Sequence, residues 1–239
     1  MTHPSPHAPF ATTRWSLVQR AAATDPATRR RALGELCEGY WRPVYAWLRR
    51  DGHAPDAAAD LTQGFVAQLL TSDGVAAQVR GRFRAYLLGA LRHFVANERR
   101  RTGSRRRGGG TLTVDPEVGE RLLADLAARD PAPDAAFDRA YALELLGRTL
   151  QQLERECALR GQGDRFALLR PLLDGGDDDS TRYADVAQAL DLPVGTVRVA
   201  THRLRQRFAE LLRREIAETV AGAEDVEAEL ADLRDALAP

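Results

Sequence analysis

The stretch Tyr183–Arg207, YADVAQALDLPVGTVRVATHRLRQR, decides the reading of this chain. Tyr183, Val186, Ala187 and Leu190 recur at the spacing of one helix face. Asp191-Leu192-Pro193 then interrupts, and Pro193 suits a first helical turn, where its missing N–H would have no partner. Beyond it, Val197, Ala200, Leu204, Phe208 and Leu211 fall on one arc of a 3.6-residue wheel and are expected to pack inward. The opposite arc carries Gly195, Arg198, Val199, His202 and Gln206, flanked by Arg203 and Arg205. Two helices meeting at a short turn, the second slim enough for a major groove and armed with bidentate donors, make a helix-turn-helix that reads DNA. An ordinary helical hairpin with a solvated charged face has the same pattern.

A second feature lies upstream. Arg80 to Arg107 holds ten arginines and one acid, Glu98, a charge density suited to phosphate. Within it Phe83, Leu87, Leu91 and Phe94 form an inward stripe, which predicts one amphipathic helix over 81–101. His93, Asn97 and Arg100 then align at i, i+4 and i+7 on one polar stripe, and Arg92 and Arg99 form another. Hydrogen-bonding side chains interleaved with phosphate binders can both hold a backbone and read bases. Every basic residue of the chain is arginine and none is lysine. Codon bias explains that choice, but not the clustering.

The net charge of zero hides a segregation. Residues 1–107 carry 18 arginines against 8 acids, whereas 215–239 carry 8 acids against Arg234 alone. A basic half and an acidic tail result.

The remaining pattern is all-α: two small helical domains joined by a flexible linker, the second containing the helix-turn-helix, with an acidic C-terminal helix. The first domain spans 10–107. Thr12 or Thr13 caps a helix to about Ala23, Ala27–Arg50 forms a second burying Leu33, Leu36, Tyr40, Val44 and Leu48, and Asp56–Leu70 a third. The linker, 108–134, opens on Gly108-Gly109-Gly110 and contains a short helix near 117–128. The second domain, 135–214, has helices over Ala135–Arg160 and Asp164–Leu173 before the helix-turn-helix. In the tail, 215–239, Ile216, Val220, Val226, Leu230, Leu233 and Leu237 form an apolar stripe, broken near Gly222. That stripe packs either on the second domain, adding stability, or back over the arginine-rich first domain, where opposite charges attract.

Cys37 and Cys157 have no metal-ligand spacing and read as buried reduced thiols. No apolar run approaches the ~18 residues that span a bilayer, and the start, Met1-Thr2-His3-Pro4, lacks a basic-then-apolar signal. A cytoplasmic chain without membrane insertion is expected. Asp174 with Asp177, Asp178 and Asp179 lacks the calcium-loop spacing and reads as a solvated turn. Neither a phosphate-binding glycine loop nor a nucleophile elbow is present. No cofactor, metal or catalytic residue is therefore expected.

In order, Asp60-Leu61-Thr62-Gln63, the Phe83-Arg84-Ala85-Tyr86-Leu87-Leu88 helix, the linker, and Tyr183-Ala184-Asp185-Val186-Ala187 with Val194-Gly195-Thr196-Val197-Arg198 resemble the extracytoplasmic-function (ECF) sigma factors of bacterial RNA polymerase. The resemblance covers roughly 10–213 and rests on the order of several motifs, each weak alone. It implies a protein that binds core RNA polymerase and promoter DNA, with an anti-sigma protein as a further candidate partner, and leaves catalysis to the polymerase. Asp56, Asp60, Leu61 and Gln63 become core-binding candidates, with Asp56, Asp60 and Gln63 outward and Leu61 and Phe65 inward on the wheel. Gly64 stands where relatives usually carry an acid. Arg80, Arg84, Arg92, His93, Asn97, Arg99 and Arg100 are implied at the -10 element, with Arg92-His93 where relatives often have Arg-Asn, and Asn97 where they have Asp. Thr196, Arg198, Val199, His202, Arg203 and Gln206 are implied at the -35 element, and Ala200 sits where relatives are often basic. The alternative is a stand-alone helix-turn-helix regulator, which leaves the Asp60–Gln63 helix unexplained.

Overall fold

The computed structural model describes residues 39–71, 82–104, 132–174, 180–220 and 225–238, together with Asp25, Ala27, Thr28, Arg31, Gly34 and Gly222. The expected helix at 12–23, Leu33, Leu36, Cys37, Arg80, the linker helix near 117–128 and Asp177–Asp179 lie outside them. Among the described residues the protein is all-α, with eight helices of seven or more residues and no strand. They are α1 (Trp41–Arg50), α2 (Pro55–Thr71), α3 (Phe83–Ser104), α4 (Pro133–Leu159), α5 (Gly163–Leu169), α6 (Ser180–Leu190), α7 (Val194–Ala217) and α8 (Asp225–Leu237). A 3-10 turn, Arg170–Leu172, follows α5.

Most boundaries match the punctuation of the sequence, and two differ for the same reason. The helix expected over Ala27–Arg50 is interrupted by a turn at Gly39–Tyr40, and α1 starts only at Trp41. Pro43, in the first turn of α1, has no N–H with which to continue an earlier helix. Pro171 likewise ends α5 before Leu173 and leaves a 3-10 turn. Elsewhere proline starts helices: Pro55 and Pro133 open α2 and α4, each followed by an acid, Asp56 and Asp134, in the first turn where the helix dipole favours it. Asp25 accepts hydrogen bonds from the backbone N–H of Ala27 (3.4 Å) and Thr28 (2.8 Å), as an N-cap does. These bonds, with that of the Thr28 hydroxyl first, hold its carboxyl below the usual carboxylate range.

The chain divides into two compact units, the first formed by Met1–Ala142 with Ile216–Pro239 and the second by Leu143–Glu215. In the first, Tyr40, Val44 and Leu48 of the α1 region, Phe65 of α2, and Phe83, Leu87, Leu91 and Phe94 of α3 are all buried, as their periodicity requires. Tyr40 is the hinge of an aromatic cluster. Its ring meets Phe83 edge-on at 5.2 Å and stacks on Tyr141 of α4 at 5.1 Å, geometries that add to the burial of area.

The acidic tail belongs to this first unit. Ile216, Val220 and Leu233 are buried, and the Thr219 carbonyl accepts the N–H of Phe83 at 3.0 Å. That bond satisfies one of the orphan donors at the start of α3. The Tyr141 hydroxyl reaches the Thr219 hydroxyl at 3.4 Å, and Arg139 donates to the Ala236 carbonyl at 3.4 Å. The tail therefore meets both Phe83 of the arginine-rich segment and the first part of α4, Arg139 and Tyr141, which the sequence assigned to the second domain.

In the second unit, Leu169, Leu172, Tyr183, Ala187 and Val197 form one buried cluster, closed by Val186, Leu190, Leu192, Ala200 and Leu204. Leu153, Cys157, Phe166 and Leu211 form another, closed in part by Phe208. Burial pushes the Cys157 thiol up. The α6–α7 turn is made by Asp191, which adopts a left-handed φ of 51°. It lets Leu192 N–H reach the Ala187 carbonyl at 3.0 Å and Asp191 N–H reach Gln188 at 3.2 Å, closing the helix end with both bonds of a Schellman motif. Glycine is the usual residue there, so the sequence carried no glycine signal for this stop.

Candidate nucleic-acid interface

Two helix faces carry the residues that the sequence set aside for DNA. On α7, Thr196, Val199, His202, Arg203 and Gln206 are exposed. Val199 is 52% exposed, an apolar side chain left in water at the centre of a polar face. Inward packing of Val197, Ala200, Leu204 and Leu211 forces this outcome, since a helix has only one arc left. Arg198 sits differently from its neighbours: its guanidinium lies 4.7 Å from the centroid of the buried Tyr183 ring, a cation–π contact that orients the side chain. Arg205 turns away and donates to the Leu172 carbonyl at 2.8 Å, covering an acceptor at the end of the 3-10 turn.

On α3 the stripe predicted from i, i+4, i+7 spacing is a connected chain. Asn97 Nδ2 lies 3.2 Å from His93 Nδ1, and Arg100 donates to Asn97 Oδ1 at 2.7 Å. All three are exposed. Fixing an amide between an imidazole and a guanidinium reduces its rotamer freedom before any ligand arrives. The second stripe, Arg92 and Arg99, is exposed too, with Arg92 paired to Asp134 and Arg99 to Asp51. The Arg92–Asp134 pair is exposed on both sides and contributes about 0–1 kcal/mol, so Arg92 can exchange a carboxylate for a phosphate at small cost, whereas Asp51 is half-buried.

Arg84 is the correction. The sequence grouped it with the outward arginines, but it is 9% exposed. Its Nε donates to Glu229 Oε1 at 2.8 Å and its Nη2 to Glu229 Oε2 at 3.1 Å, a bidentate pair from α8. Asp138 takes Nη1, Asp232 lies 3.4 Å from Nη2, and the Tyr141 ring centroid is 6.0 Å away. Burial alone would pull the Arg84 pKa down; the hydrogen bonds and charge of Glu229 and Asp138 outweigh it and raise it. Asp138 is raised above the usual carboxylate range by its own burial, against the pull of Arg84. Arg82, beside it, meets Glu229 at 3.2 Å and also pairs with Asp232. Position on a wheel separates inward from outward only when the other elements are known, and no local pattern reveals that an acidic helix covers this end of α3. The tail thus holds Arg82 and Arg84 and leaves His93, Asn97 and Arg100 open.

The α2 candidates split. Asp56 and Asp60 are exposed, while Leu61 and Gln63 are half-buried. The buried position between them is Thr62, in line with Ala58, Phe65 and Leu69. Its hydroxyl donates to the Ala58 carbonyl at 2.7 Å, which allows a polar residue to face the core. The inward arc is therefore shifted by one residue from the one that Leu61 suggested.

Compared with known proteins, the chain matches no family model, no curated protein and no solved structure. No helix among the described residues is long and apolar enough to cross a membrane.

Proposed function

We propose that the protein is an ECF-type sigma factor that binds core RNA polymerase and directs promoter-specific transcription initiation. What supports this most is the exposed polar face of α7, which follows a tight three-residue turn and is braced from behind by the apolar cluster around Tyr183 and Val197. That face offers Arg203, His202 and Gln206 to base edges and phosphate in a -35 element, with Thr196 at the helix start. The His93–Asn97–Arg100 chain with Arg92 and Arg99 is the counterpart at the -10 element; Arg84 is removed from that set by its burial. Linking two DNA-reading helices in one chain raises the effective concentration of the second contact once the first is made.

Asp60 on α2 is the exposed candidate for docking to polymerase, with Asp56 beside it. Mixing the purified chain with bacterial core polymerase tests the reading. Co-elution and promoter-dependent transcription are expected, and Asp60→Arg with Gln63→Ala is expected to impair assembly while the first unit stays folded. A chain that binds DNA but never co-elutes with polymerase is instead a stand-alone regulator, and unimpaired assembly by the double variant removes α2 from the interface.

A further inference from the structure

A pocket of about 290 Å³ opens within the second unit between the end of α4, α5 and α7. Its floor is apolar, formed by Leu153, Phe166, Leu169 and Leu204. Four arginines line the pocket, Arg160, Arg165, Arg203 and Arg207, against one acid, Glu156. That carboxylate is committed: Arg207 Nε and Nη2 each donate to it at 2.8 Å. Arg160, Arg165 and Arg203 make no ion pair with any described carboxylate, and Arg165 Nε is buried without a hydrogen-bond partner. Four arginines line one concavity with a single carboxylate already bonded to Arg207, an excess of positive charge that a multiply charged oxyanion offsets while satisfying their planar donor forks.

We propose that this pocket binds a phosphate group through Arg160, Arg165 and Arg203. Its volume lies just below the ~300–1,000 Å³ usual for small-molecule sites, on the scale of a mononucleotide whose base lies on Phe166 and Leu204. Two sources carry that chemistry. One is a free phosphomonoester of mononucleotide size. The other is the backbone of a duplex read by α7, because Arg203 also belongs to that helix's exposed face. The second source rests on the function proposed above; the first does not.

Calorimetric titration of the full chain with inorganic phosphate, with guanosine monophosphate and with phosphate-free guanosine tests the free ligand. Saturable binding of the monophosphate, absent for guanosine and weakened about tenfold or more in Arg165→Gln or in Arg160→Ala, is expected if the source is free. Duplex binding at several salt concentrations forms the other arm: loss of about one unit of the log K against log salt slope in the same variants, irrespective of sequence, assigns the phosphate to DNA. Arg160 is exposed, so its alanine variant keeps the test valid if Arg165→Gln fails to fold. Folded variants that change neither arm overturn the proposal. Neither arm uses polymerase, so a failure of co-elution leaves this result standing, and the reverse holds as well.

Discussion

Glu229→Ala is expected to be the most damaging single change outside the aromatic core. The Glu229 side chain is 1% exposed and Arg84 11%, and the two share two hydrogen bonds. Removing one member of a buried pair leaves an uncompensated charge and costs about 3–5 kcal/mol. Asp138 and Asp232 remain as partners for Arg84, which places the loss near about 3 kcal/mol. A domain has only about 5–15 kcal/mol in total, so such a loss moves the unfolding midpoint visibly. Asp232→Ala, at a carboxylate 49% exposed, removes a weaker contact and is expected to cost under about 1 kcal/mol. Tryptophan fluorescence in a urea titration isolates the effect, because Trp15, Trp41 and Trp47 all precede Ala142 and residues 143–215 contain none. Trp47 also reports on α4 directly, donating to Asp134 at 2.9 Å. The double change Arg84→Met with Glu229→Leu is expected to cost less than the sum of the two single changes, with a coupling of about 1–3 kcal/mol. An unchanged midpoint for Glu229→Ala, or equal losses for Glu229 and Asp232, would refute the claim that α8 is an integral part of the first unit.

Arg203→Ala is expected to weaken promoter DNA binding by about 1–3 kcal/mol, selectively for one base if it reads an edge and uniformly if it holds phosphate; a fluorescence-anisotropy titration over -35 variants separates these, and unchanged affinity on all of them removes α7 from the DNA. Asp191→Gly is expected to stabilise the second unit by about 0.5–1 kcal/mol, since relief of a left-handed side-chain clash of about 1–2 kcal/mol exceeds the added chain entropy; slower hydrogen exchange in α6 is the readout, and faster exchange argues against strain at this turn. The Glu156 carboxyl is held low, first by its hydrogen bonds from Arg207, against the opposing effect of burial and with lesser help from the charges of Arg207, Arg160 and Arg214. Its contribution is therefore present above the ordinary value of 4.5 and lost as pH falls through the lower folded value. Hydrogen exchange at the α4–α7 contact is expected to speed up over that acid window in the native chain and much less in Glu156→Gln; identical pH profiles would refute the assignment.

The sequence by itself determined most of the described helices and the arcs that α3 and α7 bury. Phe83, Leu87, Leu91 and Phe94, or Val197, Ala200, Leu204 and Leu211, had to face inward because local periodicity leaves one continuous apolar stripe to hide. The exposed faces of α3 and α7 follow from the same fact, which is why the His93–Asn97–Arg100 chain and the polar face of α7 were legible. Proline and the Thr62 back-bond shifted details, because a missing N–H and a self-satisfied hydroxyl act through single hydrogen bonds that a wheel does not count. What only the tertiary structure decided concerns residues far apart in the chain. Arg84 and Glu229 are separated by 145 positions, and Arg160 shares its pocket with Arg203 from another helix. Charge along a sequence shows that an arginine needs a partner or solvent; which of the two it receives depends on the three-dimensional packing of helices, where a buried guanidinium is tolerated only if a carboxylate is brought to it.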